Sequence, residues 1–314
     1  MSRVYEALQR SQGEPSSASP LVADQPEAIG VAAAVAAAPP LAASEPVKSL
    51  DVPPDRILHP VPTPEQRLVS LTEPNGTGAE MFRVLATRLA HMQNKRRLQK
   101  LLVTSSVGDE GKSVVAVNLA LTLARRPDTR VLLIEADLRR PSAGALLSTS
   151  PLRGINEWSE GKLALDDSLY QVRDLPLWFL AAGRPMSEPL PLLESERFAK
   201  MLDAVSANFD WVLLDATPLL PMADSTSLAR LCDGVLVVVR EGVTRKKVLG
   251  KAVACLEKSK LIGMVFNQSS TLTVDYDYYY GTGSSNGDKP SKKELKKAKK
   301  EAAAQAEQVK AASA

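Results

Sequence analysis

Leu101-Leu102-Val103-Thr104-Ser105-Ser106-Val107-Gly108-Asp109-Glu110-Gly111-Lys112-Ser113 decides the fold. Its first three residues suit a buried strand, and the spacing from Ser113 to Ala124 predicts an amphipathic helix directly after the loop. Gly111, Lys112 and Ser113 meet the last three positions of the Walker A pattern, while Ser106 stands at its first glycine. Gly108 and Gly111 let the backbone wrap so that successive N–H groups turn inward as an anion nest. The start of the helix adds its partial positive charge. The predicted nucleotide contacts are therefore Ser106, Gly108, Asp109, Glu110, Gly111, Lys112, Ser113 and Val114. Lys112 can reach the β- and γ-phosphates of a nucleotide, and the Ser113 hydroxyl can ligate Mg²⁺. The plain alternative is an ordinary strand–helix turn with a coincidental Lys-Ser. The strand before the loop and the helix after it weigh against that.

Outward from the loop, short apolar runs recur at Val131 to Ile134, Leu177 to Leu180, Trp211 to Leu214, Val235 to Val239 and Ile262 to Phe266. Continuous rather than alternating runs are what strands buried on both faces require. Segments of helical spacing lie between them, among them Glu196 to Val205, Ala223 to Leu231 and Lys247 to Leu256. This alternation predicts an α/β fold of three layers, with a mainly parallel sheet between helices. Ligands of such sheets bind at the carboxyl ends of strands. Two of those ends carry acids: Glu135 and Asp137 follow one run, and Asp215 follows another. Alternate residues such as Glu135 and Asp137 can point the same way. Carboxylates opposite a phosphate loop would hold the waters of Mg²⁺ and orient an attacking oxygen. A helix cap is the other use for such an acid, and Asp215 alone could be one.

Composition sets the limits of this domain. Between Glu6 and Met81 there is no Phe, Trp or Tyr, and half of the 22 prolines fall between Pro15 and Pro64. Such a stretch cannot bury enough apolar surface to offset its ordering entropy, so residues 1–63 are expected to form a mostly disordered arm. Residues 64–275 are left as the folded domain, and 276–314 as a tail that turns Gly/Ser-rich and then lysine-rich. Met1 to Arg10 has no signal-like apolar core, and no apolar run approaches the ~20 residues that span a bilayer. A cytoplasmic chain is expected. Cys232 and Cys255 lie in helical patterns without metal spacing, as reduced core thiols do. With only His59 and His91 present, nothing points to zinc or a Ser-His-Asp triad.

A net charge of +3 is too small to predict a nucleic-acid partner. The positive charge gathers at Lys289 to Lys300, KPSKKELKKAKK, which reads as a solvated helix face or, more sharply, as a match for an anionic membrane surface. Four of the six tyrosines are Tyr276, Tyr278, Tyr279 and Tyr280, beside Asp275 and Asp277. On an edge strand, three consecutive tyrosines would put rings on both faces. A mobile acceptor segment suits them better, and phosphorylation would add about −1.5 to −2 charge per site.

Together these motifs resemble the bacterial tyrosine kinases (BY-kinases) of capsule and exopolysaccharide assembly, in their cytoplasmic form. That family has a phosphate loop ending G-E-G-K-S, an acidic box D-x-D-x-R-R-P, a D-S-P-P Walker B motif and a C-terminal tyrosine cluster. Here these read Asp109 to Ser113, Glu135-Ala136-Asp137-Leu138-Arg139-Arg140-Pro141, Asp215-Ala216-Thr217-Pro218, and Tyr276 to Tyr280. The likeness runs from about Leu71 to Tyr280. Two departures stand out. Glu135 takes the place of an aspartate, and the family's assembly motif E-x-x-R-x-x-R appears as Glu80 to Ala86, without its last arginine. Min and Par partitioning ATPases share the fold but carry a signature lysine where this chain has Val107.

The resemblance implies transfer of the γ-phosphoryl of Mg·ATP to tyrosine by a P-loop NTPase fold. It assigns Lys112, Glu135, Asp137 and Asp215 to catalysis, with Ser113, Asp137 and Asp215 organising Mg²⁺. Glu135 would hold or deprotonate the tyrosine hydroxyl. Its replacement by the family's aspartate is expected to speed transfer if the pocket is built for the shorter acid, the alternative being that neighbouring residues have adjusted to glutamate and transfer slows. Asn267 resembles the family's adenine-side asparagine, a turn residue being its other reading. The resemblance further implies acceptors on the tail of a neighbouring subunit, hence self-association. It also implies a transmembrane chain-length regulator that activates the kinase and recruits it to the inner face of the membrane. Two alternatives stay open: an ATP-binding regulatory pseudokinase of the same assembly, for which Glu135 and Ala86 speak, and a Min/Par-like partitioning ATPase, against which Val107 speaks.

Overall fold

The computed structural model describes residues 50 and 52–268, so the tyrosine cluster and the lysine run lie outside the described residues. Strands are β1 (Ile57–Leu58), β2 (Lys100–Ser105), β3 (Val131–Glu135), β4 (Leu169–Val172), β5 (Leu177–Leu180), β6 (Trp211–Asp215), β7 (Gly234–Arg240) and β8 (Leu261–Asn267). Helices are α1 (Val69–Thr72), α2 (Thr77–Gln93), α3 (Lys112–Leu123), α4 (Ala143–Leu147), α5 (Ile155–Ser159), α6 (Leu190–Leu193), α7 (Glu196–Ser206), α8 (Asp224–Leu231) and α9 (Lys246–Ala254). The sheet order is β1-β4-β5-β3-β6-β2-β7-β8. Every pair is parallel except β4–β5.

Five of the six apolar runs became strands whose side chains are buried on both faces. The sixth, β8, pairs with β7 at the edge of the sheet and leaves Met264 and Phe266 exposed. Leu102, Leu132, Ile134, Val212, Leu214 and Val237 pack with Phe198, Met201 and Leu228 from α7 and α8. On the opposite face Leu101, Val103, Leu133, Leu213 and Val238 pack against Val115, Leu119 and other residues of α3. Two strands carry no such signal. β4 is short with half-buried Gln171 in it, and β1 is two residues long. Ile57 and Leu58 come from the stretch that composition assigned to the arm, yet they pair with Gln171 and Val172, and Leu58 is buried. The indole of Trp178 also donates to the Leu50 carbonyl at 3.1 Å.

Helix α3 is not amphipathic as expected; every residue from Val115 to Ala124 is buried. Helices α1 and α2 cover the side that would otherwise face water. Its polar residues are satisfied inside that layer. Asn118 Oδ1 accepts from the Ser70 N–H at 3.0 Å, and its Nδ2 donates to the carbonyls of Arg67 and Val114. Burying Leu119, Leu121 and Leu123 contributes on the order of 2 kcal/mol each, which anchors the helix that follows the loop. The same packing explains a departure from the family pattern. Ala86 of α2 is buried among these residues, so an arginine there would have to bury its charge. Glu80 and Arg83 pair with each other on the same helix.

Strand register sets up the site. Glu135 at the end of β3 lies directly across from Asp215 at the end of β6. Asp215 in turn lies across from Val103 of β2, just before the loop begins. Both acids therefore leave the sheet beside the loop.

Candidate active site

The loop from Ser106 to Gly111 joins β2 to α3, with Gly111 at φ +87° capping the helix. A Cβ at Gly111 would lie 2.1 Å from Asn267 Nδ2, so glycine is needed there both for conformation and for space. The second left-handed residue is Asp109, at φ +62°, rather than Gly108. An aspartate tolerates that region because its short polar side chain hydrogen-bonds locally. Glu110 is 3% exposed. Its carboxylate accepts from the N–H groups of Ser106 at 2.6 Å and Val107 at 3.1 Å, and from the Thr244 hydroxyl. The Glu110 side chain is thus committed to the loop itself. Its carbonyl accepts from Asn267 Nδ2 at 3.0 Å, which places Asn267 against the loop.

Lys112 opens α3 and its Nζ lies 2.9 Å from Asp137 Oδ2. It also donates to Ser113 Oγ at 3.4 Å, and Ser113 Oγ meets Ser142 Oγ at 2.8 Å. Burial alone would lower the pKa of Lys112, but the carboxylates of Asp215, Asp137 and Glu135 outweigh it and raise the net value. The ammonium is therefore firmly charged. Asp137 Oδ1 accepts from the Arg140 N–H at 3.0 Å. Arg139 of the same box turns elsewhere, making a two-point pair with buried Asp224 at 2.7 and 3.3 Å. Ser142, Glu110 as a loop clamp, and the Arg139–Asp224 pair had no assigned role in the sequence reading. Of these, Glu110 lay in the phosphate-loop motif, as a nucleotide contact, and Arg139 in the acidic box, while Ser142 lay in no motif.

Asp215 is fully buried, and among the described residues neither of its carboxylate oxygens has a hydrogen-bond partner. Burial pushes its pKa up to about 7, against the pull of Lys112 and of the Ser113 hydroxyl, which lies near without closing a hydrogen bond. A buried acid with both oxygens unsatisfied calls for a cation or its water. Mg²⁺ takes one or two carboxylates plus phosphates and waters rather than a complete protein cage. Ser113, Asp137 and Asp215, gathered around Lys112 at the start of α3, fit that requirement.

Glu135 is also buried, and burial raises its pKa although several backbone N–H groups oppose the shift. Oε1 accepts from the Gly144 N–H at 3.0 Å and Oε2 from the Ala182 N–H at 3.1 Å. The side chain therefore ties the start of α4 to the end of β5, and its length is used for that. This reverses the expectation for the shorter acid. Glu135→Asp should lose at least one of these bonds, loosen the segment that carries Ser142, and slow phosphoryl transfer about tenfold while leaving Mg·ATP affinity nearly unchanged. Single-turnover kinetics at saturating Mg·ATP checks it; a faster variant would show that the clamp is dispensable.

No protein-family model matches the chain. It is 30% identical over 221 residues to the tyrosine-protein kinase YwqD of Bacillus subtilis, covering 69% of this chain and 92% of that protein. It is 30% identical over 213 residues to the succinoglycan biosynthesis transport protein ExoP of Rhizobium meliloti, covering 66% of this chain and 27% of that one. The kinase domain of the Escherichia coli tyrosine kinase ETK superposes with a TM-score of 0.60 at 25% identity, over 70% of this chain and 84% of that domain. A relative matched along nearly its whole length, and a loop, lysine and acids gathered at one edge of the sheet, place this chain in the family of bacterial tyrosine-protein kinases.

Proposed function

We propose that the chain transfers the γ-phosphoryl of Mg·ATP to Tyr276, Tyr278, Tyr279 and Tyr280 near its own C-terminus. The observation that carries this reading is the unpartnered carboxylate of Asp215 beside the Lys112–Asp137 pair. Lys112 and the loop N–H groups that Glu110 leaves free stabilise charge on the transferring group, and Asp137 holds the ammonium in place. Ser113, Asp137 and Asp215 would hold Mg²⁺, which would supply positive charge to neutralise that developing on the phosphates. Glu135 takes a positioning role, fixing the segment from Ser142 to Gly144 against Ser113. Asn267, which donates to the Glu110 carbonyl, takes the adenine side of the nucleotide in this reading. Through this reaction the chain regulates polysaccharide export beside a transmembrane regulator, at the inner face of the membrane. No described helix is long and apolar enough to cross a membrane; in this reading the span belongs to the partner. Purified protein incubated with Mg·ATP should gain phosphate by intact mass, and peptide mapping should place it in the tyrosine cluster. Phosphate found only elsewhere, or an all-Phe cluster that labels equally well, would overturn the acceptor assignment.

A further inference from the structure

A cavity of about 420 Å³ lies between the phosphate loop and the turn after β7, lined by Val107 to Glu110 on one side and by Arg240, Val243, Arg245 and Val248 on the other. The reaction described above uses the loop wall and leaves the wall after β7 without a role. Three valines make its apolar wall, and Val243 is 62% exposed at its mouth. Its rim is basic, with Arg240 and Arg245 followed in sequence by Lys246 and Lys247. Two acids also face it. Glu110 is committed to Ser106, Val107 and Thr244, which ties the two walls together, and Asp109 is exposed at the edge.

The chain leaves the sheet at the same place. β8 ends at Asn267, whose side chain donates to the Glu110 carbonyl, and Glu110 lines the cavity. Tyr276 lies eight residues beyond Gln268, a span of at most roughly 26–29 Å when fully extended. The segment that begins there, Asp275-Tyr276-Asp277-Tyr278-Tyr279-Tyr280, combines aromatic rings with two carboxylates. Those are the groups that valines ringed by arginines would take: apolar ring area for the wall, and charge-assisted hydrogen bonds at the rim.

We propose that this cavity is the docking pocket for residues 275–280, with a tyrosyl ring against Val107, Val243 and Val248, and Asp275 and Asp277 meeting Arg240 and Arg245. Docking there holds the acceptor tyrosines beside the loop. The proposal rests on reading the cluster as the acceptor. It supplies what that reading lacks, a surface that selects this segment by charge and shape.

Two experiments on the full chain test it. In the first, Val243→Cys and Tyr278→Cys are combined with Cys255→Ser, which removes the exposed native thiol. Mild oxidation in the presence of Mg²⁺ and a non-hydrolysable ATP analogue should yield a 243–278 disulfide by peptide mapping. Its yield should exceed by about tenfold that of a control with Val61→Cys, which is exposed and lies near β1 at the far edge of the sheet. Equal yields overturn the proposal, and this readout needs no phosphate transfer. In the second, Arg240→Glu with Arg245→Glu should lower single-turnover autophosphorylation about tenfold with unchanged Mg·ATP affinity, and adding Asp275→Arg with Asp277→Arg should restore it. A parallel loss of Mg·ATP affinity would assign the cavity to the nucleotide and overturn docking. Wild-type protein that transfers no phosphate would instead defeat the autokinase reading, and the disulfide would still decide whether the pocket holds the segment.

Discussion

Lys112→Met is expected to cut phosphoryl transfer by about 10²–10³-fold and to weaken Mg·ATP binding, because it removes a positioned cation that acts in both ground and transition states. The same cation also holds the acids of the site together. Its Nζ lies 2.9 Å from Asp137, and Asp215 and Glu135 both favour its charged form. Methionine keeps most of the side-chain length but leaves three buried acids without the cation they share. Breaking a buried ion pair by removing one partner costs about 3–5 kcal/mol, lessened here because Asp137 still accepts from the Arg140 N–H. The variant should therefore melt lower than wild type, and the loss should be smaller in acid, where the carboxylates take up protons. Calorimetry with Mg·ATP, on material shown to be folded by its melting transition, decides the matter. Unchanged affinity would sink the phosphate-loop reading.

The inner strands around this site were legible because they are buried on both faces, and β8 by its apolar run although Met264 and Phe266 are exposed. Apolar runs such as Val131 to Ile134 and Trp211 to Leu214 then mark strands whatever their order in the sheet. The same logic hid β4, whose four residues include half-buried Gln171, and β1, which is held by a partner over a hundred residues away. Helix α3 was found by its spacing but misread as amphipathic, since the cover on its outer side comes from α1 and α2, earlier in the chain. For the site, the identity of its acids could be read from their positions at strand ends. Their partners could not. Glu135 takes its hydrogen bonds from residues 9 and 47 positions away, and Glu110 reaches Thr244 across 134 positions. A glutamate in a glycine-containing loop looks like a solvated side chain until the loop closes around it. The tyrosine cluster was legible through composition alone and lies outside the described residues.

Asp215→Asn is expected to stabilise the metal-free protein and to disable it as a phosphotransferase. In the folded chain the Asp215 carboxyl is pushed up to about 7 from its ordinary 3.8, mainly by burial. The folded state thus holds this proton more tightly than the unfolded state. Between those two values the folded chain binds more protons, so stability is full below the lower one and falls as pH rises through the upper one. At about 1.4 kcal/mol per pKa unit, the metal-free protein gives up a few kcal/mol by neutral pH to keep this acid ionised. Asparagine has nearly the same shape and no charge. Its metal-free variant should melt several degrees higher than wild type at pH 8, and the two should converge toward pH 4. Adding Mg·ATP should reverse the order, since the carboxylate then has a cation to satisfy and the amide does not. Phosphoryl transfer should fall at least about 10²-fold in the variant, because the charge that organises the metal is gone. Melting curves across pH 4 to 8, with and without Mg·ATP, test both halves together. If the two proteins show the same pH profile without metal, Asp215 has a partner that already satisfies its charge, and the argument for a cation at this position fails with it.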